Sequence, residues 1–218
     1  MLDISNGMLV DTEAEEIPVE WIDAEVKLVE AEPTPTPPVN RVHNLNTGES
    51  FSSIQAAIDD LDTKDRHVIE VEDGSYYENE DVTKSLTIQS ENGSANCIVQ
   101  AERGSDHIFE ITANYACIRG FTVRSASAVN KAGMYLNVSS CSVSDNNCSN
   151  NYYGVYLENS NNNTLTDNNC SSNNYWGVNP DTSDNNIISG NICSNNWEGI
   201  SLSGTNNIIS NNTCFRIK

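Results

Sequence analysis

The sequence predicts an all-β chain, a single-stranded parallel β-helix with one short capping helix at its N-terminal end. Three observations carry that expectation. A phrase recurs every 21 to 23 residues from Gly133 onward, as in "NNIISGNIC" at 185–193 and "NNIISNNTC" at 206–214. Each unit holds only short apolar–polar alternations and turn-forming residues. One amphipathic stretch, "SFSSIQAAIDDLD" at 50–62, stands alone ahead of the repeats.

The repeats align as columns. Gly133, Gly154, Gly177 and Gly199 are each followed by an apolar residue, Met134, Val155, Val178 and Ile200, and two positions on stand Leu136, Leu157, Pro180 and Leu202. A period of two is a strand with one face inward. Val143, Leu165, Ile188 and Ile209 form a second inward set; three residues after each comes Asn146, Asn168, Asn191 or Asn212, and two further on Cys148, Cys170, Cys193 or Cys214. A fixed period of this length marks stacked units. A leucine-rich repeat would carry more leucine and a helical segment, so the units must stack as coils about 4.8 Å apart.

Each column then has a task. The aliphatic columns form the core, each buried side chain contributing about 1.5–3 kcal/mol. An inward asparagine is tolerated because its amide bonds the asparagine of the next coil and the backbone of the bend. The cysteines allow two readings, a soft-metal or redox column and a column of small buried hydrophobes. No C-x-x-C pair exists, and stacked side chains point in parallel whereas a disulfide needs its Cβ atoms turned together. Free thiols are therefore expected.

Ahead of the repeats the chain reads in pieces. Residues 1–30 are acidic and strand-forming, with "IPVEWIDAEVKLVE" suggesting one or two strands; residues 31–49, opening on "AEPTPTPP", are a Pro/Thr linker and lead-in; residues 50–218 are the β-helix. In the helix, Ile54, Ala57, Ile58 and Leu61 share a face, and Ser52 with Gln55 has capping-box spacing. Short strands follow in "HVIEVEDG", "SLTIQS", "CIVQAE", "HIFEIT" and "CIRGFTV".

Composition narrows the partners. The 218 residues carry a formal charge of −20, and about two thirds of the 31 acidic residues precede residue 82. Such a charge repels nucleic acid and anionic lipid. No apolar run is long enough to span a membrane, and "MLDISNGMLVDTEAEEIPVE" lacks the basic start and apolar core of a signal peptide.

The segments "FSSIQAAIDDL", "VIEVEDGSYYENEDVTKSLTIQSENG" and "GVYLENSNNNTLTDNNCSSNN" together resemble the right-handed parallel β-helix surface proteins of archaea, of the NosD-like or carbohydrate-binding and sugar-hydrolase repeat type, with a pectin-lyase-like fold. The resemblance spans residues 50–218 and is specific for fold, not for activity. It implies that the "SIQAAI" helix caps the N-terminal end, that Asp73 to Glu78 form the first coil, and that the protein is extracellular or at the cell surface. "LDISNGMLVDTEAEEIPVEWIDAEVKL" resembles the closing strands of cohesin-type β-sandwich domains, with a disordered acidic leader as the alternative. Both ends look cut, and the expectation is a segment of a larger surface protein with other modules.

Enzymes share this fold, so activity must be argued from a site. Arg119 and Arg124, read as flanking one strand near Asp106 and Glu110, form one candidate, with solvated ion pairs as the alternative. No two carboxylates are nominated as a glycosidase pair. His43, His67 and His107 are dispersed. No catalytic, metal-ligating or cofactor-binding residue is nominated, and no cofactor is expected. Tyr152, Tyr153, Tyr156, Tyr175, Trp176 and Trp197 cluster beside the repeat glycines and suit either stacking on sugar rings or packing on neighbouring turns. Sequons at Asn92, Asn137, Asn147, Asn162, Asn169 and Asn211 permit glycosylation in an exported protein. The expected function is a non-catalytic surface β-helix with a structural, adhesive or carbohydrate-binding role, its partner a polysaccharide or envelope glycan. The alternative is a polysaccharide lyase or hydrolase whose catalytic coils lie partly outside this segment.

Overall fold

The computed structural model describes residues 41–215, together with the backbone of short strands between residues 3 and 28. Contacts divide the chain into two units, Met1–Pro38 and Val39–Lys218. In the first, Asp3–Ser5, Met8–Val10 and Glu16–Ile17 pair antiparallel, and Val19–Ile22 forms a hairpin with Glu25–Leu28. The segment read as one or two strands holds the hairpin of Val19–Ile22 with Glu25–Leu28, and three further short strands come before that hairpin. The Pro/Thr stretch at 31–38 lies outside the described residues.

The second unit is a parallel β-solenoid of about six turns. Each turn runs through three sheets in the order B, C, A. Sheet B holds Val68–Val71, Thr87–Ser90, Cys117–Arg119, Ser142–Ser144, Thr164–Thr166, Ile187–Ser189 and Ile208–Ser210. Sheet C holds Gly74–Tyr77, Cys97–Gln100, Thr122–Arg124 and Asn147–Cys148, continued by single bridges through Asn169, Ile192 and Thr213. Sheet A holds Glu80–Val82, Phe109–Ile111, Ala132–Leu136, Tyr153–Glu158, Trp176–Asp181 and Glu198–Ile200.

Register places like over like. In sheet B, Ile118, Val143, Leu165, Ile188 and Ile209 are successive partners, and in sheet A so are Phe109, Met134, Val155, Val178 and Ile200. Burial is complete from Phe109 to Val178 and from Ile118 to Ile188. Three residues of the aliphatic columns depart from the expected burial: Ile209 is 38% exposed, Leu202, beyond the last strand of sheet A, is 50% exposed, and Ile200 is half-buried. They lie on the last described rung, where no described coil covers them.

The other end is closed by tertiary contacts. The strands Val42–Asn44 and Ser50–Phe51 add antiparallel to the first strand of sheet B, which removes a parallel edge open to pairing. Helix α1 spans Ile54–Asp59 and buries Ile54, Ala57 and Ile58. Two details of the expected helix are corrected. Its N-cap is Ser53, not Ser52, with Oγ accepting from the Ala56 N–H at 3.1 Å, and Leu61 lies past the helix end, 84% exposed. The capping box is displaced because the Glu78 carboxylate of the first coil accepts from the Ile54 and Gln55 N–H groups at 3.0 and 3.2 Å. Gln55 is left to accept from the Asp81 N–H.

Polar side chains hold the bends. Asn146 Oδ1 accepts from the Phe121 N–H, and its Nδ2 donates to Ile118 O and to Asn168 Oδ1. Asn168 repeats this with Val143 O and Asn191, and Asn191 with Leu165 O and Asn212. Two further ladders escaped the sequence reading, Asn151–Asn173–Asn196 at the C-to-A bend and Asn163–Asn186–Asn207 at the A-to-B bend. The residue before each inward asparagine has left-handed φ, as at Asp145, Asp167, Gly190, Asn162, Asn185 and Asn195. Asn, Asp and Gly tolerate that region. The recurrent "NN" and "DN" doublets therefore encode corners, the first residue turning the chain and the second filling the bend.

Candidate functional site

The outer face of sheet A and the C-to-A corner beside it carry the aromatic side chains. Near the corner, Tyr152 stacks on Tyr175 at 5.6 Å and 4°, and Tyr175 on Trp197 at 6.3 Å and 5°. The adjacent column sets Tyr153 on Trp176 at 4.9 Å and 13°. A third sets His107 on Tyr135 at 4.3 Å and Tyr135 beside Tyr156 at 5.6 Å. All six aromatics named from the sequence come together, joined by Tyr135 and His107, which the sequence reading missed. Tyr135 follows Met134 one turn before Tyr156 follows Val155, so the repeat alignment could have found it.

Glycine sets this arrangement. A Cβ on Gly177 would stand 2.6 Å from Asn196 Nδ2 and 2.6 Å from Gly199 O. The corner therefore closes only over glycine, with the ladder amides against its backbone and the preceding aromatics held outward. Rings within a column cover one another's faces: Tyr175 has a ring on each side, and Trp197, stacked on Tyr175, is 60% exposed.

Carboxylates border the rings. Tyr135 Oη donates to Glu158 at 2.5 Å, Tyr156 Oη to Asp181 at 3.5 Å, and Trp176 Nε1 to Glu198 at 3.1 Å. Glu158 and Asp181 are direct partners in the register. Burial, then the neighbouring tyrosines, pushes Tyr153 up to about 12. Burial with the Glu158 and Asp181 charges raises Tyr156, so these hydroxyls remain donors at neutral pH. Glu110, opposite Tyr135, is raised by burial and then by Asp81 and Asp106. The face can donate from hydroxyls, accept at carboxylates and offer aromatic edges, which suits a polyhydroxylated ligand.

The other candidates lie elsewhere. Arg119 and Arg124 do not flank one strand; they end strands of sheets B and C, with Gly120 at φ 80° in the bend between. Arg119 Nη2 donates to Gln89 at 2.5 Å, and it is Lys131 that pairs with Asp106, at 3.3 Å. Glu110 belongs to sheet A, so the expected cluster does not assemble. The seven cysteines are free; Cys148, Cys170 and Cys193 are buried in the column below Val123, and Cys214 is exposed. Among the sequons, Asn92, Asn137, Asn162 and Asn211 are exposed, while Asn147 and Asn169 are half-buried and bridged to each other.

The family model that matches, over residues 57–216, is described as "Periplasmic copper-binding protein (NosD)". A cell surface glycoprotein of Methanothermus fervidus is 41% identical over 120 residues, 52% of this chain and 19% of that protein. The chain thus spans about a fifth of the length of the curated relative it matches. Among solved structures, the catalytic domain of an alpha-1,3-glucanase in complex with nigerose aligns with a TM-score of 0.54 at 18% identity, over 83% of this chain and 34% of that one. A pectin methylesterase mutant in complex with a hexasaccharide aligns at 0.44 and 13%, over 66% and 63%. No helix among the described residues is long and apolar enough to cross a membrane.

The described residues do not fit copper. No group of three or more His, Cys, Asp or Glu side chains is placed to share a metal ion. His43 is held by Ser50 and Glu72, His67 by Asn44 and the Lys64 N–H, and His107 by the Ala132 N–H. Hydrogen bonding to Cys148 and burial raise Cys170, and its neighbour Cys193 is raised likewise, so these two are held as thiols. The matched model nonetheless covers residues 57–216, most of the chain, and the chain belongs to the NosD family.

Proposed function

We propose that the chain is an extracellular β-helix segment of a larger surface protein, non-catalytic, whose sheet A face contacts polysaccharide. The observation that carries this reading is the set of aromatic columns edged by Glu158, Asp181 and Glu198, repeated on successive turns of sheet A and the corner beside it. The relative named as a cell surface glycoprotein supports the location, and exposed Asn92, Asn137, Asn162 and Asn211 are the sequons we assign to glycosylation. Residues 1–30, 31–49 and 50–218 are proposed as a leading module, a Pro/Thr linker with the lead-in to the coils, and the β-helix.

A second reading, a polysaccharide hydrolase or lyase, is favoured by one observation. Glu158 and Asp181 stand in register on adjacent strands of that face, and paired carboxylates are the machinery of glycoside cleavage. A glycan array run beside a reducing-sugar assay on the same polymers separates the two. Retention without new reducing ends supports the non-catalytic reading; product release abolished by Glu158→Gln replaces it with the enzyme.

A further inference from the structure

At the A-to-B bend a left-handed residue stands two positions before each strand of sheet B in the later turns: Ser140, Asn162, Asn185 and Asn206, with φ of 64°, 57°, 58° and 58°. These are residue types that tolerate the region. At the same position in the first and third turns stand Arg66 at φ 71° and Tyr115 at φ 63°. Bulky side chains are rare there, and such outliers cluster where a ligand is held. The turn between them supplies only Ser85. Two large side chains about 10 Å apart along the stack, at two coil spacings, with a serine between them, border a cleft of about 820 Å³.

Its lining includes Asp65, Arg66, Thr83, Ser85, Asn114 and Tyr115. The floor is fixed internally. Asp65 Oδ1 accepts from the Ser85 N–H at 2.9 Å, Ser85 Oγ donates to Asn114 O at 2.6 Å, and Asn114 Oδ1 accepts from the Ser139 N–H at 2.8 Å. Left over are groups with no described partner: the Arg66 guanidinium and the Tyr115 hydroxyl, with Tyr115 72% exposed. A rigid polar floor with hydrogen-bonding groups beside one aromatic ring matches a sugar ring, and the volume is that of a small-ligand cleft. A net charge of −20 and the adjacent Asp65 oppose a polyanion.

We infer that this cleft binds a neutral pyranose unit of a glycan, the ring lying on Tyr115 and its hydroxyls meeting Arg66, Asp65 and Asn114. The cleft shares no lining residue with the aromatic columns of sheet A, and the inference does not need those columns to bind anything.

Calorimetric titration of the full chain with cello-, laminari- and malto-hexaose, and with a galacturonate oligomer, tests it. The expected result is binding of at least one neutral oligomer and weaker binding of the uronate. Tyr115→Asn and Arg66→Asn should each weaken the neutral oligomer at least tenfold, with the melting temperature unchanged or raised by about 2 °C, because asparagine suits the left-handed bend. Tyr77→Ala, at an exposed aromatic that ends a strand of sheet C, should leave this binding intact. Absence of neutral-sugar binding, wild-type affinity in Tyr115→Asn, or preference for the uronate would overturn the inference. Loss confined to Trp176→Ala would overturn it while leaving the sheet A reading in place.

Discussion

Asn168 donates its side-chain amide to Asn191 Oδ1 at 3.0 Å, while its own oxygen accepts the backbone and side-chain N–H groups of Asn146. One residue thus joins three turns inside the core. Replacing it leaves buried donors and acceptors on both sides without partners.

Asn168→Leu should therefore lower stability by about 3 kcal/mol or more, since each unmet buried group costs about 1–3 kcal/mol. Asn212→Leu, on the last described rung and half-buried, should lose about 1 kcal/mol. Urea denaturation of the two variants checks the ranking; equal losses would deny the ladder its internal role.

Glu80 should make the N-terminal end sensitive to pH. It is buried with neither carboxyl oxygen hydrogen-bonded, and burial, followed by the Glu78 charge, raises its pKa well above the ordinary carboxyl value. Below that ordinary value both folded and unfolded chains hold the proton. As pH rises beyond it the unfolded chain ionises first, so this group's contribution to stability falls by about 1.4 kcal/mol per pH unit until the folded carboxyl also titrates. Glu80→Leu should stabilise at pH 8 and do much less at pH 4, measured by melting at both.

The cysteine column predicts a pattern of reactivity. Burial, then the Cys193 charge, raises Cys214 to about 11, but it is exposed, whereas Cys148, Cys170 and Cys193 are enclosed. An aromatic-disulfide titration of the native chain should label Cys214 first, and seven thiols should react after denaturation. Fewer than seven in the denatured chain would reveal disulfides and contradict the structure.

The aromatic columns should contribute to both stability and retention. Tyr175→Ala removes stacking against Tyr152 and Trp197, each aromatic pair contributing about 0.5–1.5 kcal/mol beyond burial. A fall of about 2 kcal/mol in unfolding free energy is expected, with slower migration restored in affinity electrophoresis through polysaccharide gel only by aromatic replacements such as Tyr175→Phe.

What could be read from the sequence was what repeats at a constant offset. Val143, Leu165 and Ile188 lie one period apart and face inward, and the asparagine that follows each by three residues could be followed alongside them. The ladders through Asn173 and Asn186 were hidden because asparagine also fills neighbouring positions, and only backbone φ separates the residue that turns from the one that points in. Ser53 displaced Ser52 as the cap because Glu78, which arrives from the first coil, already binds the first helical N–H groups. Arg119 and Arg124 looked like neighbours until Gly120 sent them to different sheets. The cleft beside Tyr115 joins residues 65, 85 and 115, whose spacing in the irregular first turns follows no period.

An X-ray structure of the full chain tests the stacking in register most directly. Ile188 should lie directly beneath Leu165 in a parallel sheet, with Asn168 and Asn191 hydrogen-bonded through their side chains. Antiparallel pairing of the segments led by Gly154 and Gly177, or Asn168 turned to solvent, would contradict it.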